Sequence, residues 1–176
     1  MPATTLPAVS PDAKTIAFSS NRDGTSRIWL KQLATGDEVA LTEGPDFWPR
    51  FSPDGHFVAY VAEESGRPEI YVRPFPGPGQ PWQVSQSGGK APRWSRDGRE
   101  IFFLAEHAVM SAAVRVGQGF ETATPVPLFP ADLFAGGDRR GLEAAPDGRF
   151  LILQPAGGAR DSGVHVIVNW PAGLKK

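Results

Sequence analysis

The sequence predicts an all-β chain, and three observations predict it. A stretch centred on Ser-Pro-Asp-Gly or a variant of it occurs four times along the 176 residues. Each copy leads into a short apolar run of strand length, and no segment sustains a 3.6-residue period. Gly (20) and Pro (18) together exceed a fifth of the chain beside 40% hydrophobic content, the composition of short strands joined by tight turns.

The copies align on their turns: AVSPDAKTIAFSS (8–20), RFSPDGHFVAYVA (50–62), RWSRDGREIFFLA (93–105) and EAAPDGRFLILQP (143–155). Their aspartates, Asp12, Asp54, Asp97 and Asp147, lie 42, 43 and 50 residues apart. A period of roughly 40–45 residues with several strands per unit is that of propeller blades, small sheets that bury their faces against one another. The expected fold is a β-propeller segment of about four blades. Each is four-stranded and antiparallel, the last incomplete, and all lie in one domain over 1–176. The blades cover approximately 6–44, 45–88, 89–129 and 130–176.

Within each unit a first strand, A, ends at Val9, Phe51, Trp94 or Ala144. In the turn that follows, Pro fixes φ, Asp bonds nearby backbone and Gly accepts a positive φ. Strand B is TIAFS, FVAYVA, EIFFLA or FLIL. Second turns follow at NRDGTS (21–26) and EESGRP (63–68). Strand C is RIWLKQL, EIYVRPF, AVMSAAV or VHVIVNW. AEHAVMSAAV (105–114) has a helical composition, but its place in the repeat makes it strand C after a short connection at Glu106 and His107. Strand D is weaker, at EVALTEG (38–44), PWQVSQSG (81–88) and PVPLF (125–129). Its polar residues and prolines suit a sheet edge.

Stacking of the blades is expected to bury Phe18, Tyr60, Phe103 and Leu151 from strand B, and Trp29, Tyr71 and Val109 from strand C. The fourth unit shows no clear strand D, and Ala3 to Leu6 is the stretch available to complete it from the other end. A compact four-bladed ring and an open arc of a larger propeller both satisfy the repeat. The interior character of the first blade favours the open arc.

Bulk properties narrow the function classes. Net charge is -1, so nothing in the balance points to nucleic acid or an anionic membrane. Cysteine is absent, which excludes disulfides and thiolate metal sites. The longest apolar runs, such as Val164 to Val168, are too short to span a bilayer. The start, MPATTLPAVS, has neither the basic nor the apolar region of a secretory signal.

Ser-Pro-Asp-Gly, an apolar strand, Asn-Arg-Asp-Gly, Arg-Ile-Trp-Leu and Leu-Thr together resemble the WD40-like repeat of TolB-type propellers. The first two units match the whole pattern. The third departs at Arg96 and the fourth at Ala145. The last third, LFPADLF (128–134) to VHVIVNWPAGLKK (164–176), resembles the C-terminal end of propellers attached to bacterial serine/threonine protein kinases. Asn169-Trp170 and Leu174-Lys175 match that ending, and Pro171-Ala172-Gly173 interrupt it. The resemblance implies a kinase domain upstream and an extracytoplasmic, periplasmic propeller.

Motifs for chemistry are scarce. G-x-S-x-G, a P-loop, a Rossmann fingerprint, H-E-x-x-H and the kinase signatures do not occur. His56, His107 and His165 fall at non-equivalent places in the repeat, so no metal site is expected. Asn21 and Asp23 are better read as turn-capping residues than as calcium ligands. RPFPGPGQPW (73–82) has the composition of a polyproline ligand, but its position makes it a stiff loop between strands C and D.

The ligand-binding candidates lie on strand A, which lines the channel of a propeller. Arg50 and Arg93 share one position of successive units, where Glu143 and Ala8 stand in the last and first. Such a ring suits an anionic or polar ligand, or a peptide. The favoured reading is that channel water or carbonyls of a neighbouring blade satisfy these arginines, so that Arg50→Ala with Arg93→Ala leaves folding nearly intact. Trp48, close to the rim, is a candidate binding aromatic, with inter-blade packing the stronger reading.

The expected function is a non-catalytic binding or sensing module without a cofactor, a C-terminal part of a larger sensor such as a serine/threonine kinase. Its partner is a protein, peptide or small ligand at the propeller face or channel. The alternatives are the propeller of a prolyl-oligopeptidase-type peptidase and a free-standing TolB-like periplasmic scaffold.

Overall fold

A computed structural model describes residues 4–117, 119–131, 142–145, 147–153 and 164–167. These residues form sixteen strands and no helix. The first blade holds β1 (Thr4–Val9), β2 (Thr15–Ser20), β3 (Arg27–Gln32) and β4 (Glu38–Ala40), paired in that order. The second repeats the order with β5 (Asp46–Phe51), β6 (Phe57–Ala62), β7 (Glu69–Pro74) and β8 (Trp82–Gln83). The third contains β9 (Lys90–Trp94), β10 (Glu100–Leu104), β11 (Ala108–Val116), β12 (Phe120–Thr122) and β13 (Val126–Pro130). The fourth shows β14 (Leu142–Ala144), β15 (Phe150–Leu153) and β16 (Val164–Ile167). All pairings are antiparallel, and no described strand of the fourth blade pairs with the first.

The turn after strand A is a small hydrogen-bonded unit. In the second blade Asp54 Oδ1 accepts from Ser52 Oγ (2.5 Å) and from the His56 amide (3.0 Å). Ser52 Oγ in turn accepts from the Phe57 amide (2.9 Å), which caps the start of strand B. Ser10 with Asp12, and Ser95 with Asp97, repeat the arrangement. Gly55, Gly98 and Gly148 take positive φ there, and in the first blade Ala13 does so at 55°.

Three apolar layers hold the arc. Ala17, Ile28 and Leu30 meet Tyr60 and Ala62 between the first two blades. Ala59, Val61, Ile70 and Val72 meet Ile101, Phe103, Ala112 and Val114 between the second and third. Phe102, Leu104 and Val109 meet Leu142, Phe150 and Ile152 between the third and fourth. Strand β6 is buried along its whole length because it faces a neighbour on both sides. Each such Phe, Ile or Val contributes about 1.5–3 kcal/mol of burial.

Several expectations need correction. The third blade's outer strand starts earlier than 125–129. Strand β12 runs beside Val114–Val116 and β13 beside Ala108–Ser111, so the two form one outer strand antiparallel to β11. It is broken at Thr124-Pro125, where proline supplies no ladder donor. Thr4–Leu6 belong to the first blade's own strand A, paired with β2, and so do not complete the last blade.

Phe18 and Trp29 are only half-buried, because they lie on the face of the first blade turned away from the second. Arg22 covers that face, its guanidinium 4.2 Å from the Trp29 ring centroid and 5.3 Å from that of Phe18. Tyr71 is half-buried but packs where expected, stacked on Tyr60 (ring centroids 6.1 Å apart) against the layer between the first two blades.

Leu151 is 39% exposed, while its neighbours Phe150 and Ile152 are buried. The cause is a turn shorter by one residue. Ser10, Ser52 and Ser95 each donate their amide to the carbonyl five residues on, whereas Ala145 donates to Arg149, four on. Ala145 lacks the hydroxyl that caps strand B in the other blades. The register moves by one, Ala144 facing Phe150 where Phe51 faces Val58, and side chains exchange faces. A strand D for the last blade and the Asn169-Trp170 and Leu174-Lys175 matches lie outside the described residues.

Candidate functional site: the channel wall and an inter-blade cleft

Strand A carries a feature beyond its turn. Its pairing with strand B slips at Leu6-Pro7, Trp48-Pro49 and Ala91-Pro92, where two residues oppose one. Trp48 and Ala91 take positive φ, 55° and 51°. Proline sits second in each bulge, where it need not donate to the ladder. The next residue is Ala8, Arg50 or Arg93. The bulge therefore fixes how the channel position is presented. Each arginine folds back on the bulge, Arg50 Nη1 donating to the Pro49 carbonyl (2.9 Å) and Arg93 Nη1 to the Pro92 carbonyl (2.8 Å).

Beyond that shared bond the two arginines differ. Arg93 is 6% exposed and grips Glu143 of the fourth blade with two bonds, Nε to Oε2 (2.9 Å) and Nη2 to Oε1 (2.5 Å). The fork matches the carboxylate and ties blades three and four together. The expectation of a solvated, freely replaceable pair is corrected here: Arg93 is buried and paired. Arg50 is half-buried and has no carboxylate partner among the described residues. Burial, and then the like charge of Arg93, push its pKa down to about 10, with Glu143 acting in the opposite sense.

Trp48 packs against the layer between blades two and three, beside Phe47 (centroids 6.4 Å apart). Its amide donates to Ser19 Oγ of the first blade (3.2 Å), and its indole nitrogen is enclosed without a partner. Within the bulge it serves as an inter-blade contact.

A cleft of about 590 Å³ opens between the second and third blades, on the side that bears the A–B turns. Phe57, Trp94, Val114 and Val116 supply its apolar surface, and Asp54, Asp97, Arg99 and Arg115 its charges. The aspartates are already engaged in their turns. The Ser95 hydroxyl and the Arg99 amide hold the Asp97 carboxyl below its usual range. Burial opposes the same effect at Asp54, where Ser52 and the His56 amide prevail. Arg99 and Arg115 are exposed and held by no ion pair among the described residues. Trp94 links cleft and channel, its Nε1 donating to the Arg50 carbonyl (3.1 Å). Sequence reasoning missed this cleft. Its residues lie on two blades and share no motif; the one available signal was the solvent-facing Arg115-Val116 at the end of an otherwise apolar strand.

A buried carboxyl lies at the junction of blades one and two. Asp46 is 2% exposed, and its Oδ1 has no partner. Burial raises its pKa to about 6, with Glu64 adding to the effect and Thr42, the Gly44 amide and Arg73 opposing it. Tyr60 also faces this cluster, and its phenol is held well above its ordinary range by burial and by Asp46. His56 precedes β6, His107 lies in the β10–β11 connection and His165 in β16, apart from one another in the repeat. Among the described residues no group of three His, Cys, Asp or Glu side chains could hold a metal ion, and no helix is long and apolar enough to cross a membrane.

Known proteins share this architecture. The chain is 30% identical over 158 residues to the uncharacterized peptidase YuxL of Bacillus subtilis, covering 84% of this chain and 22% of that protein. It is 29% identical over 148 residues to tricorn protease homolog 1 of Streptomyces coelicolor, covering 79% of this chain and 13% of that protein. The chain thus spans less than a quarter of the length of these relatives. In three dimensions it resembles TolB from Acinetobacter baumannii, with a TM-score of 0.67, 22% identity, 86% of this chain covered and 37% of that one. The model of the TolB beta propeller domain family, PD40, matches residues 2–121. With its blades, turns and bulges in that order, the chain belongs to the TolB β-propeller family.

Proposed function

We propose that the chain is a non-catalytic binding module that receives a peptide or protein segment on the side bearing its A–B turns. The observation that carries this reading is the cleft between blades two and three. It pairs an apolar surface (Phe57, Trp94, Val114) with two exposed guanidiniums, Arg99 and Arg115, that make no ion pair among the described residues. An apolar anchor flanked by polar groups is the usual composition of a peptide-binding site. Selection of peptides from a displayed library on the 176-residue chain tests it. Bound sequences should lose at least tenfold in affinity on Trp94→Ala or on the pair Arg99→Gln, Arg115→Gln. Failure to select any peptide, or affinities indifferent to these changes, would defeat it.

In a larger protein this module fits an extracytoplasmic sensor, such as the propeller of a bacterial serine/threonine kinase; the resemblance of the Asn169-Trp170 motif to such propellers supports that setting. The similarity to YuxL and the tricorn homolog favours a second reading, the propeller of a peptidase that governs access to a separate catalytic domain. The reading frame around the coding sequence separates them. A kinase domain should lie upstream in the first case and a peptidase domain in the second, most simply downstream.

A further inference from the structure

We infer that Arg50 is a carboxylate-receiving subsite in the channel wall. The inference rests on the binding-module reading and names the chemistry of one group that the module accepts.

Three observations support it. The channel positions of blades two, three and four carry two arginines and one glutamate, and that glutamate is committed to Arg93 through both oxygens. The trio therefore holds one positive charge in excess, located at Arg50. Arg50 is held rather than free: the Pro49 bulge aims it, its Nη1 is anchored on the Pro49 carbonyl and its backbone carbonyl accepts from Trp94. The equivalent position of the first blade is Ala8, which brings no charge to that side.

A partly desolvated cation without a counter-charge is unfavourable. A planar carboxylate matches the donors that the bulge leaves available on the guanidinium, as Glu143 does on Arg93. The Arg93–Glu143 pair is thus the protein's own version of the contact that a ligand would make one blade earlier. The depressed Arg50 pKa agrees with this, since a bound anion would offset both of its causes.

The test uses the intact 176-residue chain at pH 7, with succinate as probe and succinamide as its neutral control. The Arg50 Nε–Hε resonance, assigned by its loss in Arg50→Lys, should move saturably with succinate and stay in place with succinamide. Calorimetry should show at least tenfold weaker succinate binding in Arg50→Gln, partial retention in Arg50→Lys, and no change in Arg96→Gln, an exposed arginine outside both the channel and the cleft. Two peptides then distinguish the source of the carboxylate: acetyl-Gly-Gly with a free C-terminus, and acetyl-Asp amide. Binding of either, or of succinate alone, identifies which carboxylate the subsite takes.

An Arg50 resonance that succinate leaves unmoved, equal binding by Arg50→Gln, or an equal response to chloride at the same ionic strength would overturn the inference. If Arg50→Gln fails to fold, the wild-type resonance and Arg50→Lys decide. Library peptides that bind through Trp94 while Arg50 stays silent would sink the subsite and leave the module standing. The reverse result would sink the peptide reading and leave the anion subsite.

Discussion

Strands β5 and β9 carry the same device, a proline bulge followed by an arginine, in the same register against strand B. The outcomes differ because of what the next blade offers. Beyond β9 stands Glu143, and Arg93 is buried, paired and structural. Beyond β5 stands Arg93 itself, another cation, and Arg50 has no carboxylate partner among the described residues. The difference teaches that an equivalent position in a repeat need not have an equivalent role. In a stack of blades, the neighbour decides whether a charge is part of the framework or is available to a ligand.

The sharpest way to break the comparison is to remove the neighbour. Glu143→Ala should destabilise the chain by about 2–3 kcal/mol, because it leaves a buried guanidinium unpaired. Denaturant unfolding would measure the loss, and a loss below about half a kcal/mol would mean that Arg93 finds another partner. Arg50→Ala and Arg93→Ala together should cost most of the same amount, nearly all of it from Arg93.

Next in size is the cap of strand B, which separates the second blade from the fourth. Ser52→Ala leaves the buried Phe57 amide without its acceptor and should cost about 1–3 kcal/mol. Ala145→Ser in the fourth blade should cost little or be mildly stabilising. A loss as large as that of Ser52→Ala would show that the shorter turn does not come from the missing hydroxyl.

Asp46 sharpens the contrast from the other sign of charge. Its folded pKa of about 6 lies above the unfolded value near 3.8, so its contribution is fully present below pH 3.8 and lost as pH rises to about 6. Asp46→Asn should therefore raise stability at pH 7, by up to roughly 3 kcal/mol. The gain should vanish near pH 4. Thermal unfolding of both proteins across pH 4–7 reads this difference, and parallel curves would contradict it. The smallest expected effect is that of Arg50→Gln, within about half a kcal/mol of wild type, because relief of a partly buried charge offsets the loss of its bond to the Pro49 carbonyl.

Much of the fold was legible because its signals are local. Pro, Asp and Gly mark each A–B turn, and alternating apolar residues follow, so the ends of strand A at Val9, Phe51, Trp94 and Ala144 could be read directly. The outer strand of the third blade was misplaced because Phe120–Thr122 carries no turn signal in front of it and proline interrupts the remainder. Leu151 was misassigned for a subtler reason. A missing hydroxyl at Ala145 shortens the turn by one residue, and a one-residue slip exchanges the faces of a strand.

The channel arginines were visible as equivalent positions. Their roles were not, since a bidentate pair fifty residues apart depends on how two sheets stack. The cleft was invisible for the same reason, its walls being turns and strand ends from different blades.

The sequence by itself determined that this chain is a row of β blades, where their turns lie and which residues share a position, because backbone geometry and hydrophobic periodicity act over a few neighbours. Only the tertiary structure decided which charges are paired, which faces are covered and where a partner can enter. Those depend on the packing of one blade against the next, and the repeat does not encode that packing in any single copy.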